Sequence, residues 1–352
     1  MKIVKMLIGN NAKFHFGDAA GSLKERFSSD QLVSALMNNV VLLYGKKEVN
    51  EFISLLKEDR VRFSSLLYGL EFLPKQNQKR KTTIYFLPRP KVDFISINEK
   101  YTSSYKEIKK ITYVSLGLYR KLSSYWNELE EKCEIDFVSI VLIGKTFAVL
   151  REELEELELE ERELKSLKFL QVNIKPGVEV GRIENHSENY YFQEDLEFIY
   201  NETSNYMAQP FMYFFFEGEL PVYLYAAINL LSDEGIGGRR SLGKGFFQGI
   251  EYIDSFQQLP KEGCFYMNLS TYFPKKEEVS QLYSYDLEKR NGFVYSLGGT
   301  NVRKKSAMMI SEGSLMKRKV QGQLSNVQPN GFDHPVYLYG KPILIGFGGE
   351  KG

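Results

Sequence analysis

The most constraining feature of this chain is a glycine-rich stretch, residues 235–249, with the sequence GIGGRRSLGKGFFQG. Its glycines lie among basic and polar side chains, namely Gly235, Gly237, Gly238, Arg239, Arg240, Ser241, Gly243, Lys244 and Gly245. Glycine permits backbone conformations that other residues avoid and lets another backbone come close. Successive N–H groups in such turns form concavities that bind anions, and arginine recognises phosphate through a planar, bidentate fork. The stretch therefore predicts a loop that binds a polyanion.

This loop fits neither of two common nucleotide-binding motifs. A dinucleotide fingerprint needs glycine where Arg240 stands, and a Walker A loop needs a hydroxyl side chain where Gly245 stands. Both motifs also lie between a strand and a following helix. Here Leu220–Leu231 is apolar and opens with a proline, which indicates a helix, and Phe246–Ile250 resembles a strand. The predicted order is helix, loop, strand, and a plain connection between the two elements remains the alternative.

The loop resembles the glycine-rich loop of the RAMP superfamily of CRISPR proteins, and is most similar to that of the type III-A Csm subunit that caps the 5′ end of the guide RNA. Six further stretches resemble the same family. They are an aromatic-His-aromatic-Gly turn (Phe14–Asp18), a capped first helix (Ser28–Asp30), a strand end (Phe86–Pro90), a basic stretch (Lys109–Ser115) and two C-terminal segments (Gly313–Leu315 and Pro335–Pro342). The resemblance therefore covers both ends of the chain and the loop.

The order of elements predicts an α+β fold with two ferredoxin-like (RRM-like) domains. A strand at Lys2–Ile8, a helix after Ser28 and strands at Leu66–Leu73 and Thr82–Leu87 form the first half of such a unit. A strand at Phe211–Glu217, the helix, the glycine loop and a strand through residue 250 form the second half. The predicted domains are residues 1–250, with insertions at about 95–210, and residues 251–352, a second and smaller ferredoxin-like domain.

Composition limits where nucleic acid binds and which chemistry is available. The net charge is +1 at pH 7, so a nucleic-acid surface must be a local patch. Cys133 and Cys264 lack metal-binding or redox spacing and indicate a reducing compartment. The three histidines, His15, His186 and His334, form no metal-ligand motif. Without a signal peptide or a membrane-spanning run, we expect a cytoplasmic protein with no metal, no cofactor and no membrane partner.

Charged runs outside the loop are predicted to be solvated surface. Residues 150–168 are rich in glutamate, with four leucines on one side at helical spacing: Leu150, Leu154, Leu157 and Leu164. This pattern predicts a surface helix with a narrow apolar stripe; a partner-binding helix that faces away from RNA is the alternative. Two short basic runs, Arg303–Lys305 and Lys317–Lys319, are predicted to be surface as well.

The resemblance implies a non-catalytic RNA-binding and scaffolding subunit of a type III-A CRISPR effector complex, active in antiviral defence. Such a subunit holds the 5′ handle of the crRNA and joins the large polymerase-domain subunit to the backbone filament of another RAMP subunit. The implied RNA-binding residues are His15 and the nine loop residues named above. One alternative is a metal-independent RAMP endoribonuclease that processes the guide RNA, with His15 as general base. A more distant alternative is a nucleotide-binding enzyme that uses the loop as a P-loop.

Overall fold

The computed structural model describes residues 1–17, 23–76, 80–96, 105–127, 132–180, 187–294 and 302–349. The strands up to the glycine loop and just after it are β1 (Lys2–Leu7), β2 (Lys13–Phe14), β3 (Phe16–Gly17), β4 (Leu23–Lys24), β5 (Arg62–Phe63), β6 (Leu67–Pro74), β7 (Thr82–Pro88), β8 (Asp93–Ser96), β9 (Tyr113–Ser115), β10 (Trp126–Asn127), β11 (Lys132–Ile135), β12 (Ile140–Ile143), β13 (Phe147–Leu150), β14 (Leu170–Val180), β15 (Ser187–Phe198), β16 (Asn201–Glu202), β17 (Tyr206–Glu217) and β18 (Gly249–Ile253).

The C-terminal strands are β19 (Phe265–Asn268), β20 (Leu282–Ser284), β21 (Leu287–Arg290), β22 (Ala307–Ile310), β23 (Leu315–Met316), β24 (Ser325–Asn326), β25 (Tyr337–Leu338) and β26 (Leu344–Phe347). The α-helices are α1 (Ser29–Tyr44), α2 (Lys46–Lys57), α3 (Tyr105–Ile108), α4 (Leu116–Ser124), α5 (Glu161–Ser166) and α6 (Val222–Glu234). The described residues also form 3₁₀ turns at Phe137–Ser139, Arg151–Leu157, Arg240–Leu242 and Lys276–Gln281. Within the described ranges, no helix has both the length and the apolar composition needed to cross a membrane.

One large sheet organises the N-terminal part, in the order β12-β13-β9-β7-β6-β17-β1-β18. Its centre is antiparallel: β17 pairs with β6 on one side and β1 on the other, and β1 pairs with β18. Helix α1 follows β1, and α6 joins β17 to β18 through the glycine loop. The described chain is thus a mixed α+β fold, as predicted. The ferredoxin-like assignment of the two domains and the boundary at residue 250 stay predictions.

The sequence of β17 explains why it lies at the centre of this sheet. Successive side chains of a strand point to opposite faces of the sheet, and β17 carries apolar side chains on both faces. Met212, Phe214 and Phe216 belong to the core shared with α1 and α6. The alternating residues Phe211, Tyr213 and Phe215 belong to a second core, which also includes side chains of α4 and of the C-terminal strands β19 and β26. The sheet is therefore covered on both faces, and the C-terminal strands contribute to the main structure of the protein.

Several boundaries differ from the sequence prediction. The predicted cap of α1 is present: Ser28 and Gln31 form a capping box. Helix α6 runs to Glu234, three residues past the predicted end. The strand after the loop starts only at Gly249, because Phe247 leaves the ladder and packs against Phe14, with ring centroids 5.2 Å apart.

The C-terminal part forms a four-stranded sheet, β20-β23-β19-β26. Its strand β19 is short, and the 3₁₀ turn at Lys276–Gln281 leads directly into β20. Two residues named in the sequence analysis, Asp18 of the aromatic turn and His186, lie outside the described residues.

The glutamate-rich segment is not the single solvated helix that the sequence predicted. It divides into a 3₁₀ turn, Arg151–Leu157, and the short helix α5. Its leucines, expected to form only a narrow stripe, lie in the protein core: Leu154 is 3% exposed and Leu157 is fully buried. The Glu153 carboxylate accepts hydrogen bonds from the backbone of Gly117 and Leu150, which ties the segment to the start of α4. The segment is an integral part of the fold.

We therefore expect Leu157→Ala to lower the free energy of unfolding by about 2–5 kcal/mol, because it leaves a cavity in a packed core. Glu156→Ala, one residue away and exposed, is the matched control and should change stability by less than about 0.5 kcal/mol. Urea denaturation of the purified variants measures both values. Equal midpoints for Leu157→Ala and the wild type would contradict the core position of this segment.

Candidate nucleic-acid interface

The glycine loop closes on itself and on the β2–β3 segment through backbone hydrogen bonds. The Ile236 N–H donates to the Gly245 carbonyl over 2.9 Å, which joins the two ends of the loop. The Gly245 N–H donates to the Lys13 carbonyl, and the Gly238 N–H donates to the His15 carbonyl, both over 2.8 Å. Two of the predicted site regions, the aromatic-His-aromatic turn and the loop, are therefore in direct contact.

Close packing requires glycine, which has no side chain, at two positions of the loop. Gly237 has φ +81°, and a Cβ there would lie 2.6 Å from the His15 carbonyl oxygen. Gly245 has φ +87°, and a Cβ there would lie 2.2 Å from the Ile236 carbonyl oxygen. Ile236 itself is 1% exposed and belongs to the main core. The base of the loop is therefore packed into the core, whereas a Cβ added at Gly243, at the tip, would meet nothing within 4 Å.

The tip of the loop has the geometry of an anion-binding concavity. Arg239 is left-handed, with φ 61° and ψ 27°, and the right-handed 3₁₀ turn Arg240–Leu242 follows it directly. Alternation of left- and right-handed residues directs successive N–H groups to one side of the chain. Among the described residues, the N–H groups of Arg239, Ser241 and Lys244 donate to no protein acceptor. Backbone donors are thus available at the place where the sequence predicted anion binding.

The basic side chains of the loop are held by a carboxylate that the sequence analysis missed. Asp195, on β15, is 1% exposed, and its oxygens lie 2.6 and 2.8 Å from the Lys244 ammonium. The Arg239 guanidinium lies 3.6 Å from the same carboxylate. The His15 Nδ1–H donates to the Glu194 carbonyl oxygen over 2.8 Å, and the same nitrogen lies 4.0 Å from the Asp195 carboxylate. Lys244 is therefore a structural cation, bound inside the protein.

Below the loop lies a groove of about 540 Å³, which we call the loop groove. One wall is the loop from Glu234 to Arg240, and the other is the polar face of α1, including Ser34 and Asn38. Two cations and two carboxylates line it: Arg240, Lys304, Asp30 and Glu234. Arg240 lies 3.6 Å from Glu234. The groove is thus close to neutral, and its donors and acceptors are mainly amides, hydroxyls and backbone groups.

The C-terminal part adds aromatic and basic groups to this groove. Phe293 is 43% exposed, with the Arg303 guanidinium 5.4 Å from its ring centroid. His334 also lines the groove and packs on the ring of Phe332, with centroids 4.6 Å apart. Burial lowers the pKa of Lys304, so this member of the basic run Arg303–Lys305 is not the solvated surface residue that the sequence predicted. Exposed rings beside a polar groove provide surfaces on which nucleic-acid bases stack.

The structure brings together all ten predicted RNA-binding residues, although their roles stay predictions. His334 joins the same region, and His186 lies outside the described residues. Asp195 gave no sequence signal, because a single acidic residue in a strand matches no motif. In the part of the chain that the structure describes, no group of three or more His, Cys, Asp or Glu side chains has the geometry to hold a metal ion.

Comparison with known proteins points to one family. The family described as the CRISPR Csm4 C-terminal domain matches residues 261–347. The protein "CRISPR system Cms protein Csm4" of Methanocaldococcus jannaschii is 28% identical over 391 residues, which span 100% of this chain and 99% of that protein. The protein of the same description from Thermococcus onnurineus is 29% identical over 175 residues, or 49% of this chain and 53% of its own length.

Solved structures agree with this family. The chain is similar to one in the Csm3–Csm4 subcomplex of the type III-A CRISPR-Cas interference complex, with a TM-score of 0.65, 24% identity and coverage of 98% of this chain and 99% of that one. The chain is similar to Csm4 proteins in sequence over its whole length and has the fold of the Csm4 structures. The resemblance predicted from the loop and the chain ends is confirmed. A chain of the Csm1–Csm4 cassette in complex with pppApA has the same fold, with a TM-score of 0.55 and 17% identity. The match covers 100% of this chain and 99% of that one.

The buried ion pair of the loop leads to a stability prediction. Asp195→Ala leaves Lys244 and Arg239 without their shared carboxylate, and loss of one partner of a buried pair typically costs about 3–5 kcal/mol. Glu194→Ala, the adjacent residue, keeps the backbone carbonyl that faces His15 and is the matched control. Urea denaturation should show a large loss of stability for Asp195→Ala and a small one for Glu194→Ala. Similar losses in both variants would show that Asp195 does not hold the loop.

Proposed function

We propose that the protein is a non-catalytic RNA-binding and scaffolding subunit of a type III-A CRISPR effector complex, and that its glycine loop holds the 5′ handle of the crRNA. The observation that carries this proposal is the loop tip, where backbone N–H groups without protein acceptors lie beside a polar groove. Phosphate oxygens are suitable acceptors for such N–H groups. The groove is large enough for part of a single strand, and its exposed rings can stack on bases.

The side chains of the loop divide into two roles in this proposal. Lys244 and His15 position the loop, because Asp195 binds the first and the second is only 8% exposed. Arg239 and Arg240 are more accessible, with side chains 27% and 33% exposed, and they supply the charge that contacts phosphate. Ser241 and the glycines contribute backbone N–H groups and the conformations that these groups need.

The endoribonuclease alternative needs a general base that reaches the RNA. His15 is the candidate, and its ring lies under Gly238, whose Cβ position is 3.1 Å from the ring. A buried imidazole next to a backbone carbonyl fits a positioning role better than proton abstraction from a ribose hydroxyl, which needs hydrogen-bonding reach. The P-loop alternative also loses support, because α6 precedes the loop and β18 follows it.

The scaffolding part of the proposal rests on similar proteins. Solved structures with this fold contain Csm4 together with Csm3 and together with Csm1. We propose the equivalent partners for this chain, namely the backbone RAMP subunit and the large polymerase-domain subunit. The match extends over almost the whole length of those chains, so the fold provides both ends of such a bridge. The proposed setting is antiviral defence in the cytoplasm, without a metal or cofactor of its own.

The first test measures the phosphate contact. Arg240→Gln should weaken binding of a labelled RNA oligonucleotide carrying the repeat-derived handle and flatten the plot of log affinity against log salt by about 0.7. Arg60→Gln is the control, since Arg60 is well exposed and lies just after α2, away from the loop. The fluorescence anisotropy of the RNA gives both values. An unchanged salt dependence of RNA binding in Arg240→Gln would show that this arginine does not contact phosphate.

The second test separates binding from cleavage. The purified protein is incubated with labelled repeat RNA in EDTA; one portion is run on a native gel to detect the complex and another on a denaturing gel to detect cleavage. We expect a shifted complex and intact RNA, because the buried His15 cannot reach the strand. A defined cut that is lost in His15→Ala, with binding retained, would establish the endoribonuclease instead.

A further inference from the structure

The main sheet ends at β18, and the outer side of this strand pairs with no other strand among the described residues. Backbone groups point alternately to the two sides of a strand. The Leu7 carbonyl points to β18, because it accepts from the Gln248 N–H. Leu7 lies opposite Gly249, so the odd-numbered residues of β18 bond to β1. The N–H and C=O groups of Ile250 and Tyr252 therefore point outward.

This edge has none of the features that usually protect an exposed edge strand. Proteins protect such edges with proline, lysine, a β-bulge or a covering element. The sequence of β18 is Gly-Ile-Glu-Tyr-Ile, without proline or lysine, and its register against β1 is regular over five residue pairs. In the part of the chain that the structure describes, no backbone group bonds to the outward N–H and C=O groups. An unprotected edge of this kind is a template for an added strand.

One face of α6 borders this edge, and we call its residues Val222, Tyr225, Ala226 and Asn229 the α6 stripe. Their spacing of three, four and seven positions places them on the same side of the helix. Tyr252 packs against Tyr225, with ring centroids 5.3 Å apart, and its hydroxyl donates to Asn229 Oδ1 over 2.9 Å. Val222 is 83% exposed, and Tyr225 and Ala226 are half-buried. A strand added beside β18 would place every second side chain on this stripe.

The charge that faces solvent around the edge is negative. Glu251 points to the face of the sheet opposite to α6, and its side chain is 53% exposed, whereas its cation, Lys5, is 3% exposed. Asp254 directly follows the strand and is exposed. Lys2, at the same end of the sheet, is bound to Glu219 at 3.0 Å. Exposed carboxylates repel nucleic acid and favour a basic protein segment as the occupant.

A second copy of this chain is a poor occupant of the edge. Antiparallel pairing of two β18 strands centred on Glu251 would bring the two Glu251 side chains together. Like charges opposite each other destabilise a sheet. The edge therefore fits a different protein better than it fits itself.

We propose that β18 is a docking edge for an extended strand of another protein, in which apolar residues alternate with lysine or arginine. The backbone of that strand bonds to Ile250 and Tyr252, and its apolar side chains lie on the α6 stripe. Its basic side chains lie beside Glu251 and Asp254. This inference rests on the scaffolding part of the proposed function, because a partner subunit supplies the strand.

The test measures, by biolayer interferometry, the affinity of the full chain for the purified backbone RAMP subunit and for the purified large polymerase-domain subunit. Tyr252→Pro removes an outward N–H and keeps the bonds to β1, so it should weaken binding of one of the two subunits by about tenfold. Tyr252→Ala removes the same side chain but keeps the N–H, and as the matched control it should lose no more than about threefold. Val222→Asn reduces the apolar contact of the α6 stripe and should weaken the same subunit by about threefold.

Amide hydrogen exchange gives a readout that a folding defect does not imitate. In the free protein, the outward amides of Ile250 and Tyr252 should exchange quickly, whereas the amide of Glu251 between them is protected by β1. Binding of the subunit should protect both outward amides. This measurement uses the wild-type chain, and Val222→Asn changes a residue that is 83% exposed, so both decide the question even where proline lowers the melting temperature.

Three outcomes would contradict the docking edge in different ways. Unchanged exchange of the outward amides, with wild-type affinity in Tyr252→Pro, would overturn the docking edge and leave the proposed function intact. A wild-type dimer that Tyr252→Pro dissociates would assign the edge to a second copy and overturn the basic partner strand. Failure of the wild-type chain to bind either subunit would overturn the scaffolding proposal and this inference with it.

Discussion

One buried carboxylate, Asp195, organises the surface on which the proposed function depends. It lies on the long hairpin formed by β14 and β15, yet it binds Lys244 of the glycine loop and lies 4.0 Å from His15. Three segments that are distant in sequence are thereby held together. Because a buried carboxylate needs cationic partners, the ion pair also fixes where the loop tip lies. The loop can then present its remaining N–H groups without having to become ordered when a ligand binds.

The loop groove is suited to recognising bases more than to attracting charge. Its charges are balanced, and its walls carry amide and hydroxyl groups on α1 and exposed rings. Phosphate contacts position a strand, whereas contacts with base edges and faces carry sequence information. In our proposal, the loop tip holds the phosphates and the groove reads the bases beside them.

The sequence was informative where a local pattern decides the structure. The capping box of α1, the strand at β17 and the helix before the loop follow from periodicity and capping residues. The sequence was uninformative where contacts between residues far apart in the chain determine the structure. Leu157 looked solvated because its neighbours are glutamates, and only the folded structure, which places it in one core with Val141 and Ile143 of β12, shows that it is buried. Asp195 lies about 50 residues before the lysine that it binds, within a region predicted to be an insertion.

The pairing of β1 has a consequence for how the chain is made. Residues 2–7 pair with residues 211–216 on one side and with residues 249–253 on the other. Contacts at such separation form slowly, because the intervening chain must first be brought together. During synthesis, this apolar first strand has no partner until more than 200 residues have left the ribosome. Its exposure over that interval makes the nascent chain prone to aggregation, and early binding of a chaperone or of one of the proposed partner subunits would protect it.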